Sequence, residues 1–165
     1  MQNTELKFRA ASAADIPAVC RLRIAYLTED VGEMTPEMQA QVAAQLPEYF
    51  AAHLGRDCFV NIAETGTGEA VGCVILVCTE KPANPFFPHG KSGTVYGVYT
   101  VPEYSGQGIA TALMKRLIAD GEAAGLDRIV LSASEMGRPI YEKLGFQPAH
   151  SKYTEMELIS RKGKE

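Results

Sequence analysis

The sequence predicts a mixed α/β fold, in which helices pack on a mixed sheet. Short runs rich in β-branched or alternating apolar residues, typical of strands, are interspersed with longer runs that carry apolar residues every three to four positions, typical of helices. In chain order they give β-α-α-β-β-β-α-β-α-β-β. The 165 residues show no linker, repeat or low-complexity tract, so we expect a single domain spanning residues 1–165.

The chain opens with a predicted strand and helix. Leu6–Ala11 alternates in polarity, and Ser12 followed by Asp15 resembles a capping box. The helix that follows places its apolar residues on one face, at Ile16, Cys20, Ile24 and Leu27. We expect the acidic stretch Thr28–Glu33 to be a loop.

A second helix is predicted to begin at Thr35-Pro36, an N-cap followed by a proline in the first helical position. Its apolar residues recur at helical spacing, at Met38, Val42, Leu46, Tyr49, Phe50 and Leu54. Pro47 falls inside this pattern, so we expect the helix to kink or break there.

Two strands and a long loop follow. Cys58–Glu64 and Ala70–Thr79 flank a short turn and predict a hairpin, whose second strand is apolar enough to lie at the centre of the sheet. Lys81–Gly93 is rich in proline and glycine, which indicates a loop. It is either a functional segment, such as a partial lid over a site, or a surface excursion.

The second half of the chain begins with the β-branched and aromatic strand Thr94–Val101. After Pro102–Gly108, a helix carries an apolar stripe at Ala110, Leu113, Met114, Leu117, Ile118 and Gly121. The remaining predicted elements are a strand at Arg128–Ser132, a helix at Gly137–Leu144, and strands at Phe146–His150 and Thr154–Ile159.

Composition excludes several classes of function. The net charge of −4, with acidic and basic residues interspersed, does not provide the basic face that nucleic acid requires. No apolar run approaches the roughly 20 residues of a membrane helix, and the first residues lack a signal-peptide pattern, so we expect a cytoplasmic protein. The 4 cysteines and 3 histidines are scattered without metal-ligand spacing, so no metal site is expected.

The segment PEYSGQGIA, between a strand and a strong helix, is the candidate binding site. Gly106 and Gly108 permit a tight turn, and the helix N-terminus presents free N–H groups to an anion. A dinucleotide fingerprint fails because position 111 is threonine, and a Walker A loop fails for want of Gly-Lys-Ser/Thr. Instead, Ser105–Ala110 resembles the acetyl-CoA signature of the GNAT superfamily, [QR]-x-x-G-x-[GA], and PIYEKLGF at 139–146 resembles that family's second hallmark.

This resemblance implies a GNAT-like fold, in which the fourth strand splays away from the fifth at a bulge, and an acetyl-CoA-dependent N-acetyltransferase. The implied cofactor-binding residues are Val98, Tyr99 and Thr100 for the pantetheine arm, and Gly106, Gln107, Gly108, Ile109, Ala110 and Thr111 for the pyrophosphate. Tyr141 is the implied catalytic general acid, which protonates the thiolate leaving group. The sequence departs from the family at Ser105, where glutamine or arginine is usual, and at Ser134, where some members carry asparagine.

The acceptor and the general base stay open at this point. Thr94, Tyr96, Val98 and Thr100 should share one strand face, and none of them is acidic. Tyr96 through water, or a carboxylate from Glu29, Asp30, Glu33 or Glu64, are the alternatives for the base. The acceptor is an amine of a small molecule, which a lid formed by 81–93 favours, or a protein N-terminus or lysine. A non-catalytic acyl-CoA-binding domain is the third alternative, and the family also allows a homodimer.

Overall fold

The computed structural model of the chain describes residues 5–160 and has a five-stranded sheet in the order β1-β2-β3-β4-β5. The strands are β1 Leu6–Ala10, β2 Cys58–Thr65, β3 Ala70–Glu80, β4 Lys91–Thr100 and β5 Arg128–Val130. The helices are α1 Ile16–Val31, α2 Pro36–His53, α3 Ile109–Ala123 and α4 Arg138–Lys143. One apolar core lies between the sheet and α1 and α2, and a second lies on the opposite face beneath α3 and α4. The predicted α/β class is confirmed.

The sheet is mixed. Neighbouring strands from β1 to β4 are antiparallel, while β4 and β5 run parallel. The central position of β3 accounts for its continuous apolar sequence, because both of its faces are covered and residues Ala70–Leu76 are buried.

The capping residues in the sequence predicted the starts of the first two helices correctly. The backbone N–H of Ser12 donates to Asp15 Oδ2 at 2.7 Å, as in a capping box. Thr35 Oγ1 accepts from the N–H of Met38 at 3.1 Å, which makes Thr35 the predicted N-cap of α2. A break at Pro47 is wrong, because α2 continues through this residue to His53. Leu46 and Phe50 on either side of it are buried against the sheet, and this packing holds the helix together despite the missing N–H.

The acidic segment Thr28–Glu33 is not a loop throughout. Helix α1 extends to Val31 and ends at Gly32, whose φ of +92° suits a glycine at a helix C-terminus. Nothing before Gly32 breaks the helix, and the acidic side chains lie in solvent, so they do not oppose it.

The stripe predicted for α3 is mostly the buried face of that helix. Leu113, Met114, Leu117 and Gly121 are buried, and Ile109 joins them, whereas Ala110 and Ile118 are only half-buried. The buried Asn61 of β2 also fastens this helix, since it accepts from Arg116 Nε at 2.9 Å and donates to Asp120 at 2.8 Å. These bonds fix α3 against the sheet over its second half.

The end of the chain differs most from the sequence prediction. β5 ends at Val130 rather than Ser132, and neither Phe146–His150 nor Thr154–Ile159 forms a strand. A strand requires a partner, and within residues 5–160 neither segment pairs with another strand. The final described segment, residues 151–160, is instead irregular and exposed.

Candidate active site

Strand β4 carries a bulge near its middle. Val74 on β3 pairs with Val98, but Leu76 pairs with Val95, so one residue of β3 faces two residues of β4. Gly97 lies in the bulge with φ +87°, a conformation that favours glycine. A bulge bends its strand, and here the bent strand is β4, in the sheet that lies between the two helical layers.

Beyond the bulge β4 and β5 diverge. The two strands pair only at Ser92–Thr94 of β4 and Arg128–Val130 of β5. From Val95 to Thr100, the edge of β4 that faces β5 has no strand partner within the described chain, while its other edge stays paired with β3. The resulting gap exposes backbone donors and acceptors in the middle of the sheet, as the resemblance implied.

The bulge also corrects one prediction about side-chain faces. Val95 and Val98 both pack in the core beneath α3, although they are three residues apart. The extra residue shifts the two-residue alternation, so Thr94, Tyr96, Val98 and Thr100 do not share one face. Tyr99 points to the opposite side, into the core beneath α1 and α2.

The glycine turn after β4 forms a mouth of free backbone N–H groups at the start of α3. Gly106 and Gly108 have φ values of +80° and +77°, and a Cβ built on either would meet no atom within 4 Å. The backbone N–H groups of residues 106–111 donate to no acceptor within residues 5–160. Unpaired donors at a helix N-terminus bind phosphate oxygens well, so this cluster fits a pyrophosphate.

The predicted cofactor residues therefore fall into two adjacent groups. Val98, Tyr99 and Thr100 line the gap beside β5, and Gly106–Thr111 form the mouth next to it. Ile109 is 2% exposed, so only its backbone faces the mouth. Ser105 Oγ donates to the Pro102 carbonyl at 2.8 Å, so this hydroxyl stabilises the turn.

Tyr141 lies on α4 and its ring packs in the core beneath that helix, in edge-to-face contact with Phe146. Burial raises its pKa, and the nearby Tyr26 phenol raises it further. The hydroxyl therefore stays protonated at neutral pH, as a proton donor requires. Gly137 leaves room for the ring, because a Cβ there would lie 3.1 Å from Tyr141 Cε2. Ser134 Oγ accepts from the Gly137 N–H at 3.1 Å and so serves the start of this helix.

The opposite wall of the gap comes from α1, and little in the sequence predicted this. The Tyr26 ring meets the Tyr99 ring edge-to-face at 6.4 Å, and Arg23 lies over the Tyr26 ring at 5.4 Å. Tyr99 donates its hydroxyl proton to Glu29 Oε2 at 2.5 Å. Burial, and then this hydrogen bond to a carboxylate, raise the pKa of Tyr99 to about 12. Only the helical spacing of Tyr26 and Glu29, three residues apart, hinted that they share a face.

The residues considered as the general base lie in different parts of the structure. Glu64 accepts from Arg9 Nε at 3.0 Å, and this guanidinium lowers the pKa of Glu64. Glu29 is the carboxylate hydrogen-bonded to β4, while Asp30 and Glu33 are exposed at the end of α1. Tyr96 lies in the bulge and is 46% exposed.

The loop before β4 lies at the end of the strand remote from the glycine turn. His89 contacts Asp127 through its backbone N–H at 3.0 Å and its ring Nδ1 at 2.7 Å, which ties the loop to the start of β5. This contact lies beside the paired ends of β4 and β5 rather than in the gap. No group of three or more potential metal-ligating side chains occurs in the described part of the chain. None of the described helices combines the length and apolarity that crossing a bilayer requires.

Comparison with known proteins agrees with this geometry. Residues 22–146 match the model of the acetyltransferase (GNAT) family. A curated relative, glucosamine 6-phosphate N-acetyltransferase of Trypanosoma brucei brucei, is 33% identical over 93 residues, which cover 56% of this chain and 60% of the relative. The match thus spans less than two thirds of that protein's length.

Solved structures show the same fold. A predicted acetyltransferase from Clostridium acetobutylicum, crystallised with acetyl-CoA, superposes with a TM-score of 0.78 at 24% identity, covering 93% of this chain and 96% of that one. A GCN5-related N-acetyltransferase from Ralstonia eutropha gives a TM-score of 0.74 at 27% identity, covering 92% of this chain and 99% of that one.

Proposed function

Since this chain belongs to the GNAT acetyltransferase family, we propose that it transfers the acetyl group of acetyl-CoA to a primary amine of a small molecule. GNAT acetyltransferases use acetyl-CoA, which supplies a thioester as the acetyl donor. The observation that carries the proposal is the juxtaposition of the β4–β5 gap with the mouth at Gly106–Thr111. The gap offers strand-like backbone partners to an amide-containing arm, and the mouth offers N–H donors to a diphosphate.

Each part of the site has a role in this proposal. Backbone N–H groups at 106–111 hold the pyrophosphate, and the free edge of Val98–Thr100 aligns the pantetheine arm. A β4 backbone N–H in the gap stabilises the negative charge that develops on the carbonyl oxygen during direct attack by a neutral amine. Tyr141, kept neutral by burial, protonates the departing thiolate.

The amine approaches from the α1 side of the gap, where Arg23, Tyr26 and Glu29 lie. An ammonium group must lose a proton before it attacks, and Glu29 is the candidate carboxylate that the fold brings to β4. We assign Glu29 to accept that proton, directly or through one water. Its hydrogen bond from Tyr99 fixes the position of this carboxylate.

An amino-sugar phosphate is the first acceptor to test. The curated relative is a glucosamine 6-phosphate N-acetyltransferase. Arg23 makes no ion pair with any residue in the range 5–160 and lies beside the gap, where it suits an anionic group on the acceptor. Acetylation of a protein N-terminus or lysine is the alternative within the family, and a domain that binds acyl-CoA without turnover is the alternative outside it. We also propose a homodimer, which the exposed C-terminal segment supports.

Binding and turnover need separate experiments. Acetyl-CoA should raise the melting temperature by mass action, about 2.7 kcal/mol of stabilisation at a hundredfold excess over Kd, whereas NAD and ATP should not. Equal shifts with NAD would overturn the cofactor assignment. Thiol release should then be measured across glucosamine 6-phosphate, polyamines, amino acids, aminoglycosides and a lysine peptide. Acetyl-CoA binding without thiol release from any amine would support the non-catalytic alternative.

A further inference from the structure

The Tyr26 ring covers the bulge of β4 on the α1 side of the gap. A Cβ built on Gly97 would lie 3.6 Å from Tyr26 Cδ2 and 3.0 Å from Arg23 Nη1, so the ring and the guanidinium lie directly against this face of the strand. Carbon atoms in contact are about 3.5–4.0 Å apart, so a further atom does not fit between Gly97 and the ring. The α1 face of the bulge is therefore closed by a side chain.

Neighbouring side chains hold the Tyr26 ring in this position. It meets the Tyr99 ring edge-to-face with 6.4 Å between the centroids, and Arg23 lies over it at 5.4 Å. Tyr99 is itself 7% exposed and donates its hydroxyl proton to Glu29. Burial and, after it, the nearby Tyr26 phenol raise the pKa of Tyr141, so the ring extends from α1 towards α4. Tyr26 thus forms a braced wall across one side of the gap.

The other boundaries of the gap near the bulge are formed by the core and by backbone. Val95 and Val98 pack in the core beneath α3, which closes the opposite face. Towards the start of β4, Thr94 pairs with Val130 of β5, and paired strands lie about 4.8 Å apart. The gap therefore narrows to the spacing of a paired sheet at Thr94. Of these boundaries, the Tyr26 wall is the one that a single side chain can open.

The acyl end of the donor would lie in this narrow part of the gap. In the proposed function the pyrophosphate binds at the mouth that follows Thr100, so the pantetheine arm runs back along Val98–Thr100 and its thioester reaches the bulge. An acetyl group has one carbon beyond its carbonyl, whereas a butyryl group has three. The additional carbons would have to enter the paired strands, the packed core or the space that the Tyr26 ring fills.

We propose that the Tyr26 ring selects acetyl-CoA over longer acyl-CoA donors, because it closes the gap at the bulge of β4. This role rests on the proposed function, since it requires the thioester to lie beside Gly97. It goes further by assigning the choice of donor to one side chain of α1, which takes no part in the transfer itself. One methylene more than a pocket accommodates changes recognition by about 10–200-fold.

The test compares the affinities of CoA, acetyl-CoA and butyryl-CoA by titration calorimetry, without an acceptor. Wild type should bind butyryl-CoA at least about tenfold more weakly than acetyl-CoA. Tyr26→Ala removes the ring, so the two affinities should agree within about threefold. Tyr26→Phe is the matched control, because it keeps the ring and removes only the hydroxyl, and it should retain the wild-type ratio. CoA itself has no acyl group, so its affinity should be similar in the three proteins.

Equal affinity of wild type for the two acyl-CoAs would overturn this role of Tyr26, and so would an unchanged ratio in Tyr26→Ala. Both results would leave the proposed function standing, whereas a wild type that binds none of the three ligands would overturn the proposed function as well. Circular dichroism checks that the alanine variant folds. If it does not, Tyr26→Leu decides, since leucine keeps part of the apolar contact but not the ring: a ratio lowered about threefold or more supports the role, and an unchanged ratio overturns it.

Discussion

Gly108→Ala separates the cofactor role of the turn from its role in folding. Gly108 has φ +77°, a conformation that costs an L-residue about 1–2 kcal/mol. A Cβ at this position meets no protein atom within 4 Å, so the added methyl group brings no clash of its own. We therefore expect a loss of about 1–2 kcal/mol in unfolding free energy, or a fall in melting temperature of about 2–8 °C.

Gly125→Ala is the matched control. Gly125 follows α3 with φ +73° and likewise has no atom within 4 Å of a built Cβ, but it lies at the other end of the helix from the mouth. The two variants should lose the same stability. Only Gly108→Ala places its methyl group where the diphosphate approaches, so only its acetyl-CoA affinity should fall, by about tenfold or more, equivalent to 1.4 kcal/mol.

The assay is titration calorimetry with acetyl-CoA for both variants and wild type, alongside thermal unfolding without ligand. Equal affinity in the three proteins would refute the assignment of the pyrophosphate to this mouth. A parallel loss of affinity in both glycine variants would instead attribute the effect to general destabilisation.

Three further predictions concern the catalytic groups and one ion pair. Tyr141→Phe should lower kcat about 10²-fold with acetyl-CoA affinity and melting temperature nearly unchanged, because it removes only a proton donor. Steady-state thiol release measures this effect, and an unchanged kcat would remove Tyr141 from the mechanism. Glu29→Gln should keep an acceptor for the Tyr99 hydroxyl but lower kcat about 10²-fold, with acetyl-CoA affinity retained. Steady-state thiol release measures this, and an unchanged kcat would exclude Glu29 as the base. The hydrogen bonds from Arg9 lower the pKa of Asp15 in the folded protein. The stability that this carboxylate contributes is therefore complete above its ordinary pKa of 3.8 and is lost as the pH falls towards the lower pKa of the folded state. In urea unfolding at neutral and acid pH, the unfolding free energy of Asp15→Asn should depend less on pH than that of wild type.

The sequence predicted best what depends on neighbours along the chain. Thr35 caps its helix through Met38, three residues away, and the stripe from Leu113 to Gly121 follows from helical period alone. The glycine turn could also be predicted, because two positions with positive φ, separated by one residue, are both occupied by glycine.

Features that depend on contacts between distant residues were missed. Tyr99 and Glu29 are 70 residues apart, and no pattern in either segment pairs them. The position of the bulge at Gly97 follows from the register of β3 against β4, so the alternation assumed from Thr94 to Thr100 was wrong. The predicted strand at 154–159 has a strand's sequence but no strand partner within residues 5–160, because pairing is not a local property.

The one-sided pairing of β4 should be visible in amide hydrogen exchange. Amides of Val95–Thr100 that point towards β3 are hydrogen-bonded and should exchange slowly, whereas those that point into the gap should exchange as fast as loop amides. The two classes lie next to each other along one strand, so exchange with solvent can be followed at single residues by NMR. A ligand that pairs with the gap edge would slow only the fast class, so β4 itself can report where a bound molecule lies, before any turnover is detected.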